Sequence, residues 1–199
     1  MIKGLTYLLI FLGIWIIFFK NDRVEYGPGV LAPHEPLQTK IELPKPFVFK
    51  EELYTPLANF SIQAKVLSKE NYSLDRGAAH SPTDLALGWG RMSDESIIEH
   101  IEISQSGRWY RWRAEKLPIP IKEIERSSAN MHMIPANEEV ASILDDIKEG
   151  HIIRLKGKLV RIDSPDGGHW QSSLSRNDTG GGSCELIFVE QLNIEEILP

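Results

Sequence analysis

The richest run of chemically capable side chains in this 199-residue chain lies between positions 169 and 185. It reads His169, Trp170, Ser172, Ser173, Ser175, Arg176, Asp178 and Thr179, then Gly180-Gly181-Gly182-Ser183 and Cys184-Glu185. Consecutive glycines can turn successive backbone N–H groups toward an anion, and an arginine beside them can add a bidentate contact to a carboxylate or phosphate. Arg176, Asp178, Gly180, Gly181, Gly182 and Ser183 are therefore the candidate ligand-binding residues. The same composition also suits a plain hairpin loop, because glycine and serine between two strands need no ligand to explain them.

Cys184 is the single cysteine, so no intramolecular disulfide can form. A histidine within hydrogen-bond reach, His132 or His169, would make the thiol a nucleophile by taking its proton. The competing reading is a small buried apolar residue, since Cys184, Leu186 and Phe188 alternate as the start of a half-buried strand. An imidazole lying against the sulfur separates the two. The nucleophile motif of the L,D-transpeptidases, Ser-His-Gly-Cys followed by arginine, is not met, because Ser183 precedes Cys184 directly. The histidines at 34, 80, 100, 132, 151 and 169 never fall at paired ligand spacing. With one cysteine available, neither a metal site nor a cofactor is expected.

Charge narrows the partners. Positions 51–199 carry sixteen Lys and Arg against twenty-four Asp and Glu. Nucleic-acid affinity rests largely on phosphate neutralisation, so an acidic body makes nucleic acid a poor partner unless its cations cluster. Two small clusters exist. Arg154, Lys156 and Lys158 alternate along one strand face, and Trp109, Arg111 and Arg113 share another. Tryptophan and arginine together are typical of protein interfaces, which makes a protein partner the expectation.

These residues need elements to hold them. Asn137 caps a helix predicted over 137–149, with Glu138 and Glu139 in its first turn, Val140, Ile143, Leu144 and Ile147 on one face, and Gly150 as its stop. Period-two alternation predicts strands at Phe60–Ser68, His151–Ile162 and Cys184–Leu192, with shorter ones at 107–114, 127–134 and 170–174. Gly157 suggests a bulge or bend within its strand. Residues 70–89, rich in Gly and Pro, read as a loop, and Ser93 as the cap of a short helix. The fold class is α+β, mainly β. Its element order resembles a small Greek-key barrel of the OB type, which implies a helix between the third and fourth strands.

Ahead of this body, Gly4 to Phe19 is uncharged and flanked by Lys3 and Lys20. It predicts a short transmembrane anchor over 1–20, contacting lipid through residues 4–19, with both lysines reaching the bilayer surfaces. A cleaved signal would need small residues after the apolar run, and Lys20, Asn21, Asp22 and Arg23 stand there instead. Residues 21–50, with prolines at 28, 33, 36, 44 and 46, read as an extended stalk, and 51–199 as one globular β-rich domain. The chain is thus expected to be a single-pass membrane protein with its domain outside the cytoplasm. Its expected role is that of a binding or assembly module. The alternatives are a Cys/His hydrolase or transferase near the membrane, and OB-like nucleic-acid binding.

Overall fold

The computed structural model describes residues 23–175, 180 and 182–197. The expected anchor lies outside these residues, and among them no helix is long and apolar enough to cross a membrane. The described chain is a mainly-β α+β domain built on a large mixed sheet that partly closes into a ring.

The organising element is β3, Glu52–Asn71, which follows the short strands β1, Leu37–Lys40, and β2, Phe47–Phe49. Twenty residues in one strand are possible because β3 bends at two register shifts, between Pro56 and Ala58 and between Val66 and Ser68. Proline has no N–H to give a ladder, so a shift is where a strand tolerates it. The first half of β3 pairs with β8, Ile152–Asp163, and the second half also pairs with β4, Thr83–Gly88. β4 lies antiparallel to β7, Ser128–Pro135, which runs parallel to β10, Glu185–Ile194, which returns antiparallel to β8. The ring is therefore β3, β4, β7, β10, β8 and back to β3.

Inside the ring sit Phe60, Ile62, Leu85, Leu87, Met131, Met133, Leu155, Leu159 and Ile187. Burying each such side chain stabilises by about 1.5–3 kcal/mol, which is why the period of two dictates the register. The helix Glu138–Asp146 lies between β7 and β8 and adds Val140 and Leu144 to this core. Asn137 caps it as expected, its Oδ1 accepting from Val140 N at 2.9 Å. The helix ends three residues before the predicted boundary, because Ile147 already has extended backbone. Gly150 is not its stop. It sits at φ +89°, where a Cβ would come within 1.8 Å of Val24 O.

Three further elements differ from expectation. The stretch read as a loop at 70–89 contains β4, whose six residues are all buried. Asp94, not Ser93, caps the short helix Glu95–Ile98, while Ser93 Oγ accepts from Leu31 and Ala32 N–H. Gly157 is not itself bulged. The irregularity lies opposite it, between Val189 and Gln191, and a Cβ at Gly157 would meet Phe188 O at 2.1 Å. A hairpin of β5, Glu102–Ser106, and β6, Trp109–Arg113, packs outside the ring with the helices Glu95–Ile98 and Ile121–Arg126.

Residues 23–50, expected as stalk, lie along the domain. Val24 N donates to Glu149 O, Gly90 N to Ala32 O, and Gly29 N to the Asp94 carboxylate. Arg23 pairs with Glu95, which also pairs with Lys65, a lysine only 1 % exposed. The Tyr26 ring covers the Lys65 ammonium at 5.4 Å.

Candidate functional site

Strand alternation builds the site on the outer surface of the ring. With Leu85, Met131, Met133 and Ile187 turned inward, Asp84, Asn130, His132 and Leu186 must face outward. Asp84 stands directly opposite His132 across the β4–β7 ladder. On the other side, the parallel β7–β10 register sets Glu185 against Met131 and Leu186 against His132. Cys184, just ahead of β10, therefore arrives level with Asn130. Two ladders thus bring a carboxylate, an imidazole and a thiol side by side from distant parts of the chain.

His132 Nδ1 lies 2.8 Å from Asp84 Oδ1, bent off the ring N–H direction, so the contact is an ion pair more than a linear hydrogen bond. Cys184 lies close enough to the imidazole to favour its charged form. Burial opposes charge on this ring, but the hydrogen bonds and charges of Asp84 and Cys184 outweigh it and raise its pKa to about 9. His132 is accordingly an imidazolium at neutral pH. Its ring also packs against Trp170, with centroids 4.9 Å apart.

Asp84 is fully buried and has several partners besides His132. Arg108 Nη1 reaches the same Oδ1 at 2.8 Å, and Asn130 Nδ2 approaches Oδ2 at 3.3 Å. A buried carboxylate needs such compensation, since desolvating it alone would cost several kcal/mol. Arg108 is positioned by the β5–β6 turn, where Gly107 and Arg108 both have positive φ, 57° and 69°. Its guanidinium also binds Asp75 through two nitrogens and Ser81 O, and stacks on Tyr72 with Cζ 3.9 Å from the ring centre. Asn130 is oriented by Gln105, which donates to its Oδ1 at 2.6 Å, and this leaves Asn130 Nδ2 4.0 Å from Cys184 Sγ.

Cys184 is half-buried and opens onto a cavity of about 260 Å³. Trp89, Trp109, Tyr110 and Trp112 form much of its wall, with Arg126, Gly180 and Ser183 also lining it. Of the candidate ligand loop, Arg176, Asp178 and Gly181 lie outside the described residues. Gly180 and Gly182 have positive φ, and Ser183 Oγ donates to Gly180 O at 2.7 Å, which closes a tight turn beside Cys184.

His169 goes elsewhere. It lies on β9, His169–Gln171, opposite Asp163, and lines a separate pocket of about 520 Å³ with Glu52, His80, Arg108 and Trp170. Of the two candidate imidazoles, only His132 meets the sulfur. Sequence reasoning missed Asp84, Asn130 and Arg108. Asp84 was hidden in a segment read as loop, whereas Gly107-Arg108 between two alternating runs carried a turn signal.

The basic strip on β8 is largely neutralised: Arg154 pairs with Glu195 and Lys158 with Glu190. Among the described residues, no group of three His, Cys, Asp or Glu side chains could hold a metal ion. Comparison with protein-family models, with curated proteins and with solved structures found no match to this chain.

Proposed function

We propose that this chain is a membrane-tethered thiol enzyme, a hydrolase or transferase of acyl groups, with Cys184 as nucleophile, His132 as acid and base, and Asp84 orienting the imidazole. The observation that supports this over a non-enzymatic binding or assembly module is the placement of buried Asp84 and His132 beside Cys184 on neighbouring strands, with Cys184 at the mouth of a cavity. A cysteine serving only as a core residue needs no buried ion pair behind it. In the first step the thiolate attacks the acyl carbonyl, a C–S bond forms, and the bond to the leaving group breaks as His132 Nε2 hands it a proton. In the second, His132 takes a proton from water or an acceptor alcohol or amine, whose attack breaks the C–S bond and restores the thiol. Asn130 Nδ2, which also donates to Asp84 Oδ2 and Arg108 O, lies beside the sulfur and holds the carboxylate and the turn in place.

The ring is best read as an OB-type barrel. Its first strand is shared by the second and fourth, the third and fifth run parallel, and a helix joins the third to the fourth. Ligand sites in that class use the second and third strands and the loops after the first and fourth, the region that here holds Asp84, His132 and Trp170. The third reading, nucleic-acid binding, loses support from the pairing of Arg154 and Lys158 with carboxylates. The anchor over residues 4–19 and a domain outside the cytoplasm complete the proposal.

The test is alkylation of Cys184 by iodoacetamide at pH 6.5, followed by intact-mass spectrometry on the full chain in detergent. A free thiol is only about 1 % thiolate at that pH. The native protein is expected to react at least tenfold faster than a free-cysteine peptide, and His132→Ala to lose that advantage. Equal rates for the native protein and the peptide would overturn the enzymatic reading.

A further inference from the structure

The geometry points to an aromatic acyl group as the substrate: the cavity beside Cys184 takes an uncharged planar ring carrying one hydrogen-bond acceptor, on the carbon next to the reacting carbonyl. This rests on the thiol-enzyme reading and specifies what that enzyme acts on. The walls argue for it first. Trp109, Tyr110 and Trp112 come from one short strand, β6, and Trp89 from the end of β4, so four aromatic faces and edges surround a space of about 260 Å³. That volume holds one or two fused rings, and aromatic pairs in offset or edge-on contact gain about 0.5–1.5 kcal/mol beyond their buried area.

The polar groups argue second. The Tyr110 hydroxyl donates to Ser128 Oγ, and Ser128 Oγ donates to Ile124 O, so both are engaged. Burial pushes the Tyr110 phenol up to about 12, and it brings no negative charge into the cavity. Trp89 differs. It is 2 % exposed, and its indole Nε1 is buried with no hydrogen-bond partner among the described residues. A buried donor without an acceptor costs roughly 1–3 kcal/mol, and a ligand acceptor placed there recovers it. Glu125, Arg126 and Glu185 also line the cavity, and the aromatic wall with this buried donor is what would select a ring over an aliphatic chain.

Tryptophan, tyrosine and phenylalanine rings all stack, but of the three only tyrosine carries an acceptor, because the indole N–H only donates. The decisive experiment therefore uses p-nitrophenyl esters of N-acetyl-tryptophan, -tyrosine, -phenylalanine, -leucine and -alanine with the full chain in detergent. Formation of the acyl-Cys184 adduct is followed by mass spectrometry together with p-nitrophenolate release. The three aromatic esters are expected to acylate Cys184 at least tenfold faster than the leucine ester, and the tyrosine ester, whose ring alone offers an acceptor, faster than the other two. Trp112→Leu is expected to reduce that preference at least fivefold. Where Trp112→Leu fails to fold, the native protein still decides: N-acetyl-tryptophanamide at millimolar concentration is expected to slow alkylation of Cys184 at least fivefold, and N-acetyl-leucinamide to have no effect. Rapid alkylation with equal acylation by leucine and aromatic esters would overturn the aromatic assignment and leave the nucleophile standing. Slow alkylation would remove the enzyme itself.

Discussion

Asp84 Oδ1 is shared by two cations, His132 Nδ1 and Arg108 Nη1, each at 2.8 Å. The sharing sets the charge on His132. Arg108 offsets part of the carboxylate's field, whereas loss of Asp84 would leave burial and the Arg108 charge, both disfavouring the charged imidazole, opposed only by Cys184. Arg108→Met is expected to raise the imidazole pKa above its present value of about 9, and Asp84→Asn to drop it below the ordinary 6.5 or so, both read by NMR titration of the ring. A stability consequence follows from the same shift. The folded value lies above the unfolded one, so the folded state binds the extra proton, and its contribution is fully present below about pH 6.5. It is lost as pH rises through about 9. Denaturant melts of native protein and His132→Gln at pH 6.5, 8 and 9.5 check this: a difference of a few kcal/mol at the lowest pH is expected to shrink steadily toward the highest. A difference that grew with pH would contradict an imidazolium at this position.

At the scale of elements, the segment from Arg23 to Ala32 is fastened by close fit as much as by hydrogen bonds. Gly150 is required because its φ of +89° disfavours any Cβ and because Val24 O occupies the space a methyl group would need. Gly150→Ala is expected to free the segment, read as new proteolytic cleavage between 23 and 34 without loss of the barrel's circular dichroism. Glu95→Gln acts on the same junction differently, since it leaves Lys65 buried beside Tyr26 without its ion-pair partner. That is expected to cost roughly 3 kcal/mol or more in a denaturant melt. Which elements the sequence discloses follows from how they are buried. The helix after Asn137 and much of β8 bury one face, and a one-sided pattern shows as periodicity. β4 is buried on both faces between Pro82 and Gly88, so no period marks it, and Asp84 vanished with it. Cys184 and His132 were visible as reactive types. Their meeting depends on a parallel β7–β10 ladder between distant segments, which no local pattern encodes.

On the scale of the whole molecule, the docked segment decides where the site stands relative to a bilayer. Between Phe19, the last residue of the proposed span, and Arg23, held at Glu95, four residue steps reach at most about 14 Å. With the proposed span in a bilayer, the Glu95 and Glu149 face of the domain would lie at the lipid headgroups, not at the end of an extended stalk. β10 measures the other distance. Ile194 pairs with Ile153 near that face, Ile187 pairs with Leu159, and Cys184 lies three residues further on. At about 3.3 Å per residue, Cys184 is up to about 30 Å along the strand from Ile194. On the proposed activity and anchoring, the thiol would work in the aqueous layer, on an acyl donor that reaches it through water. Energy transfer to a headgroup-labelled lipid tests this in reconstituted vesicles. A dye at Lys148→Cys, in a Cys184→Ser background, is expected to transfer efficiently, and the same dye on native Cys184 to transfer several-fold less. Equal transfer from both positions would lay the barrel on its side and bring the cavity to the membrane surface.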